Sequence, residues 1–158
     1  MALYISGTRP SAVPETGRTE ALRPWWETPY GRWRLAVETE AMKRFPEFRL
    51  CEQHGHLTWI GELRSGLRPA TRYVVTVTYS PWFPDEAPSV AILSPELAEG
   101  TPHLLERNRP CLFRSSEGTR NGYDPARTTA ATLVAWTALW IHAYETWLET
   151  GSWPGKGA

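Results

Sequence analysis

The segment Ser80 to Pro88, SPWFPDEAP, does most to limit the folds open to this chain. Pro81, Pro84 and Pro88 each hold φ near one value and remove a backbone donor, so no β-ladder runs through the segment. It lies between RYVVTVTYS and SVAIL, two runs rich in β-branched and aromatic residues. A rigid turn between two strands follows. Trp82 and Phe83 are held in that turn, and one of them is expected to pack inward while the other stays exposed as a partner contact.

Two further runs, FRLCE and HLTWIGEL, precede this pair, with Gly, Pro and Asp turns between the runs, which predicts a four-stranded antiparallel meander. In the third strand Tyr73, Val75, Val77 and Tyr79 alternate with Val74, Thr76 and Thr78, giving one strongly apolar face that needs a cover. Ahead of the strands, YGRWRLAVETEAMKRF spaces Trp33, Val37, Ala41 and Phe45 four apart, the pattern of an amphipathic first helix with that side inward, stopped by Pro46. Beyond Leu93 the periodicity lapses for about thirty residues, a length at which a loop in a compact domain is normally functional. It returns in TTAATLVAWTALWIHAYETWLETG, where Leu133, Trp136, Trp140, Tyr144 and Trp147 recur at three- and four-residue steps. That predicts a long helix with a wide aromatic face, capped by Thr128 or Thr129 and ended by Gly151 in the left-handed conformation. The fold class is α+β. Residues 1–24, rich in Pro, Gly, Thr, Ser and Arg without a sustained period, read as a mobile extension or an arm ordered on binding, which leaves 25–158 as the domain.

A chain of 158 residues is long enough for one core and short for two. Its 17 basic and 17 acidic side chains cancel, so no global field would hold a nucleic acid or an anionic membrane, and the expected partners are proteins or small molecules. The longest apolar stretches, such as Ala130 to Ala138, stop well short of a bilayer span, and the N-terminus lacks a basic-then-apolar leader, so the chain reads as cytoplasmic. Two cysteines are too few for a disulfide framework, and each is weighed as a thiol.

Cys111 stands in the middle of the aperiodic stretch. Arg107, Arg109 and Arg114 lie within a few residues of it, and nearby cations favour thiolate, the form that attacks an activated carboxyl group and leaves readily when an amine attacks in turn. Pro110 fixes the approach to the sulfur. The alternative reading is a small buried hydrophobe beside Leu112 and Phe113. Cys51, in the first strand, reads as a core thiol; a zinc site from Cys51, His54 and His56 is disfavoured, because the three crowd one turn without a second ligand pair. No metal or cofactor is called for. His142, inside the aromatic helix, reads as structural.

Helix, meander, cysteine-bearing loop and helix, in that order, resemble the ubiquitin-conjugating fold. Trp59 and Gly61 look like that family's W-x-G; Tyr79, Pro81, Phe83, Pro84, Pro88 and Val90 look like its Y-x-P-x-x-F-P-x-x-x-P-x-V turn. His103 after Pro102 resembles the histidine ahead of its active site, and Cys111-Leu112 its C-L. The likeness runs from about Gly31 to Trp153, and the pattern from Trp140 to Gly155 is similar to bacterial members found with antiphage cyclic-nucleotide signalling systems and ubiquitin-like operons. Two departures stand out. Eukaryotic members follow the histidine with Pro and Asn, the latter assigned to the oxyanion or to loop order, whereas here the run is His103, Leu104, Leu105; Asn108, Asn121 or backbone N–H groups remain as donors. The family's Trp-x-Pro after the cysteine is here Tyr123, Asp124, Pro125, which makes Asp124 either an orienting group for an incoming lysine or a turn residue at the helix entry.

The resemblance implies a transferase that carries the C-terminal glycine of a ubiquitin-like protein or signalling nucleotidyltransferase as a thioester on Cys111 and passes it to an amine, in antiviral defence. It also implies a separate adenylating enzyme as partner, since no P-loop or Gly-rich dinucleotide motif is present. His103 would brace the loop through its backbone or shuttle a proton. Two rivals remain: a non-catalytic binding module of the same fold, and a thiol hydrolase, which would need His103 as general base without an evident acidic partner.

Overall fold

In a computed structural model of the chain, residues 23–113 and 122–155 are described. Trp25–Glu27 form one 3₁₀ turn, and α1 follows over Pro29–Met42. Thr28 starts it: its hydroxyl accepts the Gly31 N–H at 3.0 Å, while Pro29 occupies the first turn, where its missing donor costs nothing. The chain then enters β1 (Arg49–Gln53), β2 (His56–Leu63), β3 (Tyr73–Thr78) and β4 (Ser89–Ser94), paired in sequence order and antiparallel throughout. That is the expected meander. His54 and Gly55, at φ 51° and 78°, make the tight turn from β1 to β2, a geometry that matches the right-handed strand twist.

The expected apolar face of the third strand is the centre of the core. Tyr73, Val75, Val77 and Tyr79 are all buried, and α2 (Ala130–Thr150) covers them with Leu133, Val134, Trp140, Ile141 and Tyr144. Thr129 caps α2, its own N–H donating to the Thr132 hydroxyl at 3.2 Å, and Gly151 ends it at φ 76° with its N–H on the Trp147 carbonyl. The proline-rich turn divides its aromatics as the sequence suggests. Phe83 is buried against Trp25 and Tyr79, at ring distances of 4.8 and 4.7 Å, whereas Trp82 is 72% exposed.

Several expectations need correction. The inward side of α1 is Arg34, Glu38, Ala41 and Met42; Trp33 and Val37 are only half-buried, and Phe45 lies beyond the helix end. Four-residue spacing of large apolar groups misplaced that face, because the core at this point has a charged pair to house. Cys51 is no core thiol. It pairs in register with Thr58 on the sheet face opposite Trp59 and Val77, half-buried, with its thiol on the Thr58 carbonyl at 3.5 Å. His142 is exposed on the outer side of α2. The stretch after β4 is not wholly irregular either: β5 (Leu104–Glu106) and β6 (Arg109–Pro110) form a small hairpin, and its Asn108 carbonyl accepts the Ile92 N–H at 2.8 Å, fastening it to the edge of β4. Residues 1–22, which make up most of the expected N-terminal arm, and Arg114 and Asn121 lie outside the described residues.

Gly61 shows why a glycine stands two residues after Trp59. A Cβ there would lie 2.5 Å from Cγ of Phe48, whose ring is buried over the strand. Gly61→Ala is therefore expected to destabilise by about 1–3 kcal/mol, the usual range for overpacking, with a lower urea midpoint at unchanged slope.

Candidate active site

The hairpin delivers Cys111 directly after β6, half-buried. Its N–H donates to the His103 carbonyl at 2.8 Å and its thiol faces the Phe113 carbonyl at 3.8 Å. His103 holds φ 55°, a left-handed conformation that histidine tolerates better than most side chains, and its carbonyl also accepts the Trp140 indole N–H at 3.1 Å. One strained backbone position thus ties the cysteine loop to α2. The His103 ring lies 4.9 Å from that of Trp153.

On the other side of Cys111, the Phe113 ring sits 6.1 Å from Tyr123 and 6.0 Å from Trp136. The Tyr123 hydroxyl donates to the Pro84 carbonyl, so the segment after the cysteine is braced against the proline-rich turn. Burial raises the Tyr123 phenol well above its ordinary value, which keeps it a donor at every physiological pH. Asp124 sits in the turn leading to α2. Its Oδ1 accepts the Ala126 N–H at 2.9 Å, its own N–H donates to the Thr128 hydroxyl at 2.9 Å, and its carbonyl accepts from Arg127 and Thr128. Among the described residues no hydrogen bond joins Asp124 to Cys111, whereas the main chain joins His103 to it directly.

The arginines contribute less than their spacing suggests. Of the two that are described, Arg109 pairs with Glu106 at 3.4 Å and Arg107 is exposed at the hairpin turn, where water screens it. The Cys111 N–H, engaged by His103, is withdrawn from service as an oxyanion donor, while the main-chain carbonyl of Asn108 bonds β4. Beside the cysteine runs a groove of about 270 Å³, lined by Pro88, Val90, Leu105, Arg109, Leu112 and Phe113 among others. It is mostly apolar, open, and in contact with both sequence neighbours of Cys111.

A polar network missed in the sequence anchors the far end of this site. Glu38, fully buried, accepts the Ala130 N–H at the start of α2 at 2.7 Å and the Tyr79 hydroxyl at 3.0 Å, and it pairs with Arg34 at 3.4 Å. The Trp59 indole in turn donates to Tyr79 at 2.9 Å. Arg34 donates to the carbonyls of Thr128 at 2.9 Å and Ala126 at 3.4 Å, the turn that Asp124 begins, and lies 5.1 Å over the Phe83 ring. The sequence signal was an i, i+4 Arg–Glu pair, which is ordinarily a solvated surface feature. Its inward placement depends on chain segments about ninety residues away, whose backbone groups it satisfies.

Burial raises the Glu38 carboxyl, opposed by the Ala130 N–H, Arg34 and Tyr79. A carboxyl raised in the folded state holds its proton more tightly there than in the unfolded chain, so its contribution is greatest below the ordinary value of 4.5 and falls as pH rises through the folded value. The stability of wild type minus that of Glu38→Gln should accordingly fall as pH is raised from 4.5, measured by denaturant unfolding at a series of pH values. A wild type that gains stability over the variant in that interval would refute the assignment.

A family model described as E2-CBASS, Type II CBASS E2 protein, matches residues 38–158. The chain belongs to the Type II CBASS E2 family. The match takes in the meander, the cysteine loop and α2, and it places this E2-like chain in bacterial antiphage signalling. No curated protein and no solved structure matches it. The α+β architecture agrees with the ubiquitin-conjugating fold that the W-x-G, proline-turn and C-L motifs imply. No helix among the described residues is long and apolar enough to cross a membrane, and no three His, Cys, Asp or Glu side chains there gather as a metal ligand set.

Proposed function

We propose that this CBASS E2 protein carries the C-terminal glycine of a ubiquitin-like protein or a signalling nucleotidyltransferase as a thioester on Cys111 and transfers it to an amine. The observation that carries this reading is the half-buried Cys111 thiol beside an open apolar groove, held by its backbone on a braced loop. An adenylating enzyme supplies the tail as an acyl-adenylate. Cys111 loses its proton, its sulfur bonds to the acyl carbon and AMP departs; an amine then attacks the same carbon, the C–S bond breaks, and the thiolate regains a proton from the amine. The groove suits a peptide tail, since Pro110 and Leu112, the two sequence neighbours of Cys111, line it together with Pro88, Val90 and Phe113. His103 supports loading by holding the loop, and Asp124, in the turn before α2, is the candidate orienting group for the amine. The partners are the adenylating enzyme and the tail protein, with no nucleic acid or membrane in the reaction, and the cytoplasm is the compartment that keeps the thiol reduced.

Incubating the protein with an adenylating enzyme, ATP and a tail protein should yield an adduct that reductant removes. A second reading, a binding module of the same fold, draws on the Cys111 N–H being engaged by His103 rather than available to an oxyanion. Tail binding without any adduct would select the module, and multiple turnovers releasing free tail would select a thiol hydrolase.

A further inference from the structure

We propose that Trp153, in the segment beyond α2, is a positioning residue for the Cys111 loop and acts through His103. The functional part of this inference rests on Cys111 being the thioester carrier; the structural part does not. The His103 carbonyl receives two donors, the Cys111 N–H and the Trp140 indole, and it can do so only while the residue stays left-handed, a conformation that persists in side chains other than glycine where surroundings hold it. Trp153 touches both groups that do the holding. Its ring lies 4.9 Å from the His103 ring and 5.4 Å from the Trp140 ring. Gly151 turns the chain back at φ 76°, and the Thr150 hydroxyl braces that turn, donating to the Thr146 carbonyl at 2.8 Å and accepting the Ser152 N–H at 3.1 Å, so the indole is delivered by a fixed turn.

Trp153 is peripheral to the fold itself. It is half-buried at the edge of the core, where it packs on Trp140, and the other four of the five α2 residues that cover β3, Leu133, Val134, Ile141 and Tyr144, are buried on α2 itself. Its removal therefore loosens the His103 contact while leaving the sheet–helix core in place. The consequence falls on the loop that bears the thiol.

The experiment uses the full chain and four variants: Trp153→Ala, Trp153→Phe, His103→Asn, which tolerates the left-handed backbone but has no ring, and the His103→Asn/Trp153→Ala double. Amide hydrogen exchange reports on the Cys111–His103 bond directly. Trp153→Ala is expected to speed exchange at the Cys111 amide about tenfold or more while β3 amides keep their protection. Thioester loading should slow by about tenfold or more, the scale on which small misplacements act. Trp153→Phe should restore both. If Trp153 acts through the His103 ring, the double variant is no worse than the more impaired single one. Unchanged Cys111 exchange in Trp153→Ala, simultaneous opening of β3, failure of Trp153→Phe to rescue, or additive losses in the double variant would each overturn the proposal. If the wild-type chain forms no thioester, the carrier reading fails, and amide exchange still decides whether Trp153 positions the loop.

Discussion

Cys111→Ala is expected to abolish the reductant-sensitive adduct, a loss on the order of 10³-fold or more, because no other group supplies the attacking atom. Cys111→Ser sharpens the test. A serine alkoxide is a poorer nucleophile and a poorer leaving group, so this variant should load slowly and then hold its cargo as an ester that resists thiol reductant but is cleaved by alkali. Cys51→Ser should behave as wild type, since Cys51 lies on the sheet face away from the core, with its thiol on the Thr58 carbonyl. Gel analysis with and without reductant separates the three outcomes. An adduct that survives in Cys111→Ala would remove the thiol from the reaction and with it the conjugating mechanism.

Glu38→Ala is expected to be the most damaging substitution for stability, at about 3–5 kcal/mol, because it leaves the Arg34 guanidinium buried without its counter-charge. It also strips the Ala130 N–H and the Tyr79 hydroxyl of their acceptor. At roughly 2–4 °C per kcal/mol for a domain of this size, the melting temperature should fall by about 10 °C. Arg34→Ala should cost a similar amount, as it orphans the Thr128 and Ala126 carbonyls together with Glu38. Replacing both, as Arg34→Met with Glu38→Leu, should recover much of the loss, since a buried pair contributes less than breaking it costs. A Glu38→Ala protein within about 1 kcal/mol of wild type would show that the pair is not buried as described.

These two substitutions probe parts of the molecule that differ in how far they can be read from the chain. The strands were legible because alternation of Val and Tyr with Thr has a period that no helix shares, and the proline-rich turn because proline acts on its own backbone. The α2 stripe was equally plain, as its apolar residues outnumber every competing pattern over 21 residues. The first helix was misread for the opposite reason. Its apolar groups are sparse, and Arg34 and Glu38 look like an exposed pair until the backbone groups of Ala126, Thr128 and Ala130 arrive to meet them. The β5–β6 hairpin was hidden because its strands are too short to show a period.

At the site, the sequence alone determined which atom is the candidate nucleophile and which turn and strands stand near it, because cysteine chemistry and proline geometry are local properties. Tertiary structure decided how that atom is held. The left-handed His103 with its two-donor carbonyl, the diversion of Arg109 to Glu106, and the approach of Trp153 all join residues distant in sequence or turn on a pairing choice that spacing does not reveal. Proximity in the chain placed arginines beside Cys111; folding paired Arg109 with Glu106 and left Arg107 in water, while backbone and aromatic contacts brace the loop that bears the thiol.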